Sequence, residues 1–318
     1  MRFPLTAEQR AFARSLDALL TAADTPSVIR AWGAGDRRAG RALWSEIAGA
    51  GVFALAVPEA YEGVGPLPPD LAVACVELGR HAVPGPLAET VLAAVLLAGH
   101  PERAARLLPP LVAGKTMVTV GGAYAVDGDA ADVVLSLGDG RVRLAPGCRP
   151  EVRPSLDPAR RLAVPLPGGE VLCPAVPSGA LDWARLATAA QALGVGLALL
   201  DRTVSYAGQR VQFGVPVGSF QAVKHRLADT AVALEFAEPL VFGAALSMAP
   251  ADIAAAKVAA CEAAYGAART ALQVHGAIGY TAEYDLSLWL TRARALRGAW
   301  GTPAQCRAAV LAGREQDL

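Results

Sequence analysis

Phe3, Leu5, Phe12, Leu16, Leu19 and Leu20 recur at helix-like spacing with polar residues between them. Thr6 stands where an N-cap belongs, and Gln9 three positions on completes a capping box. From Arg41 to Arg80 the pattern predicts a helix, a glycine break, a short extended run, a turn and a second helix, whose start is marked by Pro66, Pro68 and Pro69. Residues 1–110 therefore read as a helical domain.

The pattern changes over residues 111–178. The stretches KTMVTVGGAY, ADVVLSLGDGRVRLAP and RRLAVPLPGG are short, β-rich and divided by Gly, Asp and Pro. Asp139-Gly140 tolerates positive φ and predicts a tight hairpin. This is a small sheet domain. Residues 179–318 return to a helical, alanine-rich pattern, with long helices expected over 181–208, 220–248, 251–275 and 284–297. Long helices joined by short connections form an antiparallel bundle. The fold class is thus mainly α with a small central β domain.

Composition narrows the function. Hydrophobic residues make up 53% of the 318, charged residues 18%, and the formal net charge is zero. That balance gives no general attraction to nucleic acid or an anionic membrane, and it suits a protein with buried subunit surface. The five cysteines are scattered without a CxxC pair, which argues against a disulfide framework or zinc site and fits a reducing cytoplasm. The N-terminus is polar throughout, unlike a signal peptide, and the longest purely apolar run, Val91 to Ala98, is too short to span a bilayer. No metal ligands are expected.

The chemistry concentrates in two places. Arg210, Gln212 and Phe213 lie close together before a Gly- and Pro-containing turn and Gln221. An Arg fork grips a pyrophosphate through two hydrogen bonds, an amide adds another, and an aromatic ring covers an adenosine. Gln273 and Gly276 follow at the end of the third long helix, where glycine lets a ligand approach the backbone. The string from Arg210 to Asp229 resembles the flavin-binding signature of the acyl-CoA dehydrogenases, R-x-x-F-G-x-P-x-x-x-F-Q-x-x-x-H-x-L-A-D. Gln273 to Leu296 resembles the second C-terminal signature, with Ala277 where that family has a glycine. LAVPEAYEGVGPLPPD resembles an N-terminal signature, with Glu62 in place of a glycine.

The resemblance implies the family's helix–sheet–helix fold, FAD as cofactor, and α,β-dehydrogenation of an acyl-CoA thioester. It also exposes losses. The catalytic carboxylate of the family's Tyr-Glu-Gly-Thr loop falls on Trp300, with Gly301 and Thr302 holding the register. The alternative base position, early in the helix after the sheet domain, is Ala184; Asp182 nearby reads as an N-cap. The sheet-domain signatures that hold the flavin ring and thioester are absent, and the domain looks shortened.

The family's Arg210- and Gln273-type motifs serve mainly the FAD of a neighbouring subunit, whereas the lost elements serve the chain's own site. The expectation is a subunit with no catalytic residue of its own. It lends Arg210, Gln212, Phe213, Gln221, Gln273 and Gly276 to FAD held with a full-length homologous catalytic subunit, as an α2β2 heterotetramer built on the C-terminal helices. The acyl-CoA, expected from the heteromeric subset to carry a steroid side chain, binds mainly in the partner. Electron-transfer flavoprotein is the expected acceptor. Two rivals are a self-sufficient homomeric dehydrogenase using Asp182 or another carboxylate, and a flavin-free scaffold.

Overall fold

A computed structural model describes residues 3–316. The chain opens with six helices: α1 (Ala7–Ala22), α2 (Thr25–Gly33), α3 (Arg38–Gly49), α4 (Pro68–Arg80), α5 (Leu87–Ala98) and α6 (Pro101–Val112). The capping box at the start of α1 forms as expected: Gln9 N donates to Thr6 Oγ1 at 3.2 Å and Thr6 N to Gln9 Oε1 at 3.1 Å. Leu16 and Leu20 from that helix are fully buried, each worth about 1.5–3 kcal/mol of burial. The extended run expected after α3 is instead a 3-10 turn at Phe53–Ala56. All four of its residues are buried, and tertiary packing overrides the β-like local pattern.

A single sheet follows: β1 (Val118–Gly121), β2 (Ala125–Val126), β3 (Val133–Gly138), β4 (Arg141–Ala145), β5 (Cys148–Arg153), β6 (Leu162–Pro165) and β7 (Glu170–Cys173). Its spatial order is β5-β6-β2-β1-β3-β4-β7, antiparallel except for the parallel β1–β3 pair. Asp139 (φ 52°) and Gly140 (φ 72°) make the expected two-residue hairpin between β3 and β4. Strands β5 and β7 carry mixed polar patterns at the sheet's edges, so periodicity alone did not predict them.

The C-terminal part comprises α7 (Ala180–Gln209), a two-stranded hairpin β8 (Val211–Gln212) and β9 (Val215–Pro216), α8 (Gln221–Ser247), α9 (Pro250–His275), α10 (Leu286–Gly298) and α11 (Pro303–Gln316). Helix α7 is the axis of the molecule, packing against α4, α5, α8, α9 and α10. Its small residues permit backbone-to-backbone contact with α4: a Cβ on Gly194 would fall 1.9 Å from the Val76 carbonyl oxygen. One continuous apolar core joins the N-terminal helices, the sheet and the bundle. Polar ties reinforce the junction: Trp289 Nε1 donates to Arg80 O at 2.8 Å, and buried Arg292 pairs with Asp157 and donates to Val83 O at 2.7 Å.

Helices α7 and α8 are each long and apolar enough to cross a bilayer by composition, with mean hydropathy 1.3 over their best windows. Neither contains a long uninterrupted apolar run, because polar residues punctuate both. Most of α7's apolar window is buried in the bundle, whereas 39% of α8's is. Helix α8 therefore turns Val232, Phe236 and Leu240, spaced four apart, to the outside.

Candidate functional site

Three element ends meet at one end of the bundle. Helices α8 and α9 are consecutive and antiparallel, tied by Thr230 Oγ1 and Thr270 Oγ1 at 3.1 Å. The start of α8 therefore lies beside the end of α9. The end of α7 joins them through Tyr206, whose ring stacks on His275 with centroids 4.1 Å apart. His275 is buried with Nδ1 donating to Ala271 O at 2.8 Å, and its burial pushes the imidazole pKa down.

The six residues expected to meet the cofactor are distributed over these ends. Arg210 caps α7 with extended backbone, and its carbonyl accepts from Val217 N at 2.7 Å, which ties the hairpin to the entry of α8. Gln212 lies in β8, its amide turned onto the Val211 carbonyl at 2.8 Å. Phe213 and Gly214 form the hairpin turn, both at positive φ (55° and 81°). Such a turn suits Asn-Gly or Gly-Gly, so a phenylalanine in it is strained. Phe213 is 92% exposed and meets Phe220 edge-on at 6.2 Å. Gln221 is the first residue of α8, whose first turn holds no acidic residue. Gln273 lies in the last turn of α9, and Gly276 ends it at φ 67°, ψ −140°, a conformation suited to glycine.

All six are exposed, and among the described residues the side chains of Arg210, Gln221 and Gln273 make no hydrogen bond or ion pair within the chain. Unpaired amide N–H groups at the start of α8, with exposed Lys224, His225 and Arg226 just beyond, favour an anion. An arginine fork, two amides, a free aromatic and a helix N-terminus fit a dinucleotide's phosphates and adenosine.

The loop after α10 differs. Trp300 has φ 55° and is held on three sides. Arg185 Nε donates to its carbonyl at 3.1 Å, its Nε1 donates to Glu89 Oε1 at 3.0 Å, and buried Lys257 donates to the next carbonyl, of Gly301, at 2.8 Å. Ala184, the alternative base position, is fully buried. Asp182 is not the N-cap of α7; Gly179 is, because Asp182 falls three residues further on, where its carboxylate pairs with Arg185 at 2.7 Å. That engagement, with 5% exposure, leaves Asp182 poorly placed for proton transfer with a substrate. Asp285 pairs with Arg30 at 2.7 Å, a structural tie between α2 and the start of α10.

Sequence reasoning passed over Glu89, Arg160 and Lys257. Glu89 was visible as a lone carboxylate in an otherwise apolar helix, LAETVLAAVLLA. Nothing in one dimension tied it to Trp300.

Comparison with known proteins follows this geometry. The acyl-CoA dehydrogenase N-terminal domain matches residues 6–115 and the C-terminal domain residues 175–312. Acyl-CoA dehydrogenase IpdE2 of Mycobacterium tuberculosis is 37% identical over 90% of this chain and 91% of its own. Acyl-CoA dehydrogenase FadE34 of the same organism is 34% identical over 84% of this chain but 41% of its own. Among solved structures, the Tcur3481–Tcur3483 steroid ACAD superposes with a TM-score of 0.86 at 27% identity, covering 98% of both chains. The ChsE4–ChsE5 complex of Mycobacterium tuberculosis, at 24% identity and TM-score 0.85, shares the fold.

Proposed function

The chain belongs to the acyl-CoA dehydrogenase family, and on that premise we propose that it is the non-catalytic subunit of a heteromeric, FAD-dependent acyl-CoA dehydrogenase. The observation that carries this reading is the contrast between its two sites. Among the described residues the side chains of Arg210, Gln221 and Gln273 make no hydrogen bond or ion pair within the chain, while at the position expected to hold the base an indole donates to Glu89 and the loop's carbonyls accept from Arg185 and Lys257.

FAD fits one end of the chain and not the other. Arg210 and the start of α8 would hold the pyrophosphate, Gln212, Gln221 and Gln273 would offer hydrogen bonds beside it, and Phe213 would cover an apolar face. Gly276 lets the backbone approach without a Cβ in the way. The groove beside Trp300 offers a buried carboxylate instead, and among its described lining residues Ser155 is the one serine or threonine. When bound, flavin supplies the hydride acceptor. The α-proton goes to a carboxylate of the catalytic subunit, since neither Trp300 nor Ala184 can accept it.

An exposed apolar face supports an obligate partner. Phe236 and Leu240 of α8 border an open groove of about 690 Å³ against α9, lined on the α9 side by Ala263, Gly266 and Ala267. Small residues there admit a helix of a homologous subunit closely, and large exposed apolar patches mark such contacts. An α2β2 assembly on these helices follows, with electron-transfer flavoprotein as acceptor and a cytoplasmic setting. The 27%-identical steroid ACAD supports a steroid side-chain-CoA substrate, bound mainly in the partner. FadE34, whose matched part is under half its length, has room in one chain for a second unit of this kind. The division into residues 1–110, 111–178 and 179–318, with a shortened middle domain, belongs to the same reading.

The test is acyl-CoA-dependent reduction of an artificial electron acceptor by this chain, by a homologous catalytic subunit, and by the two co-purified. Turnover by the pair and none by this chain is expected. Turnover by this chain alone would overturn the reading in favour of a self-sufficient homomer.

A further inference from the structure

An open groove of about 600 Å³ lies between α6, the turn before β3 and the turn from β4 into β5. It shares no lining residue with the groove beside Trp300. Two carboxylates line it, and the chain itself neutralises both. Asp129 is held between Arg37, at 2.7 Å, and Arg161, at 2.8 Å. Asp132 takes two hydrogen bonds from Arg41, at 2.8 and 2.9 Å, and one from the Met117 amide at 2.7 Å. Three guanidiniums thus meet two carboxylates before the remaining cations of the lining are counted.

Those cations are Arg106 of α6 and Arg149 of β5. Both are exposed, and among the described residues neither side chain makes a hydrogen bond or ion pair. In a chain of zero formal net charge, the groove is a local concentration of positive charge. Two guanidiniums that converge from different elements on one concavity repel each other, and an anion between them removes that cost. A carboxylate has two oxygens and satisfies one fork. A phosphate monoester presents three and serves both. The lining also holds Leu107, Val134 and Ala145; the last two belong to a small apolar cluster set apart from the main core. Those side chains give the body of such an ester an apolar surface to cover.

We infer that this groove binds a phosphate monoester of a compact apolar group, its phosphate between Arg106 and Arg149 and its body on the Leu107–Val134–Ala145 surface. None of these residues is among those assigned to FAD, so the two assignments stand or fall separately.

The purified full-length chain is titrated by calorimetry with phenyl phosphate, inorganic phosphate and benzoate. Cys148 reports the place: it lines the groove and is the one cysteine of the five that is not buried. Its alkylation by iodoacetamide is followed by mass spectrometry. Phenyl phosphate is expected to bind saturably at one per chain, about fivefold or more tighter than either competitor, and to slow alkylation of Cys148. Arg106→Ala and Arg149→Ala should each weaken it by about fivefold or more with the melting temperature unchanged, since both side chains are exposed. Three results would each overturn the inference: no saturable binding, affinity for inorganic phosphate or benzoate equal to that for phenyl phosphate, or binding that survives both substitutions and leaves Cys148 unprotected. The last, if abolished by Arg210→Ala, would place the anion at the flavin-facing end instead.

Discussion

Two loops of this chain hold a bulky aromatic residue in the left-handed region, Phe213 and Trp300, both at φ 55°. Such a backbone costs of order 1–3 kcal/mol for a residue other than glycine. At Trp300 the chain offsets that cost itself, through Arg185, Lys257 and Glu89. At Phe213 the ring meets Phe220 edge-on but, among the described residues, no hydrogen bond to its own side chain or carbonyl is seen, and the ring stands 92% exposed. Strain compensated internally marks a finished structural unit. Strain left uncompensated on an exposed aromatic, beside an unpartnered arginine, marks a surface completed by another molecule.

The comparison breaks most readily at the clamped loop. Trp300→Glu restores a carboxylate to the family's base position, yet it removes a packed indole and sets a second carboxylate near Glu89. The loss of stability should be about 3–5 kcal/mol, read by denaturant titration, with no dehydrogenation gained. At the open end, Arg210→Ala should leave the fold intact, because the side chain is exposed. It should lower flavin retained by the assembly by about 10- to 100-fold in affinity, as expected for losing charge-assisted hydrogen bonds worth about 1.5–3 kcal/mol.

Behind the clamped loop, Asp127 sharpens the contrast through pH. Burial pushes its pKa up to about 7, against hydrogen bonds from Trp32 and the Arg161 backbone that pull it down. The folded value lies above the ordinary 3.8, so the stability Asp127 contributes is complete at low pH and is lost as pH rises through about 7. Glu77, also raised to about 7 by burial, acts with the same sign. Asp127→Asn suits the left-handed backbone at φ 53° and should flatten only the Asp127 share of this decline. Melting curves of both proteins between pH 4 and 8 measure it. The smallest effect is expected at the hairpin: Phe213→Gly relieves the turn and should stabilise the isolated chain by up to about 1 kcal/mol, while weakening the assembly.

The sequence carried the long helices because their ends are chemically marked. Thr6 with Gln9, the proline at the start of α9 and Gly276 at its end are examples. The six residues proposed to face flavin could be singled out in the sequence, since five of them fall in two short continuous stretches and Gln221 lies a few positions on. What it could not carry was anything assembled across the chain. The hydrogen bond from Trp300 to Glu89 joins residues 211 positions apart, and Lys257 reaches the Gly301 carbonyl from another helix. Asp182 was misread for the opposite reason: capping depends on backbone geometry at one residue, and the helix begins earlier, at a glycine in the left-handed region. Edge strands β5 and β7 escaped because their partners, not their own pattern, define them.

Flavin stoichiometry tests the central claim most directly. FAD absorbance per chain is measured for this protein purified alone and purified with a homologous catalytic subunit. The account predicts little flavin on the chain alone and one FAD per heterodimer in the complex. One FAD per chain on the protein alone would contradict it, because the chain would then complete a flavin site without the partner.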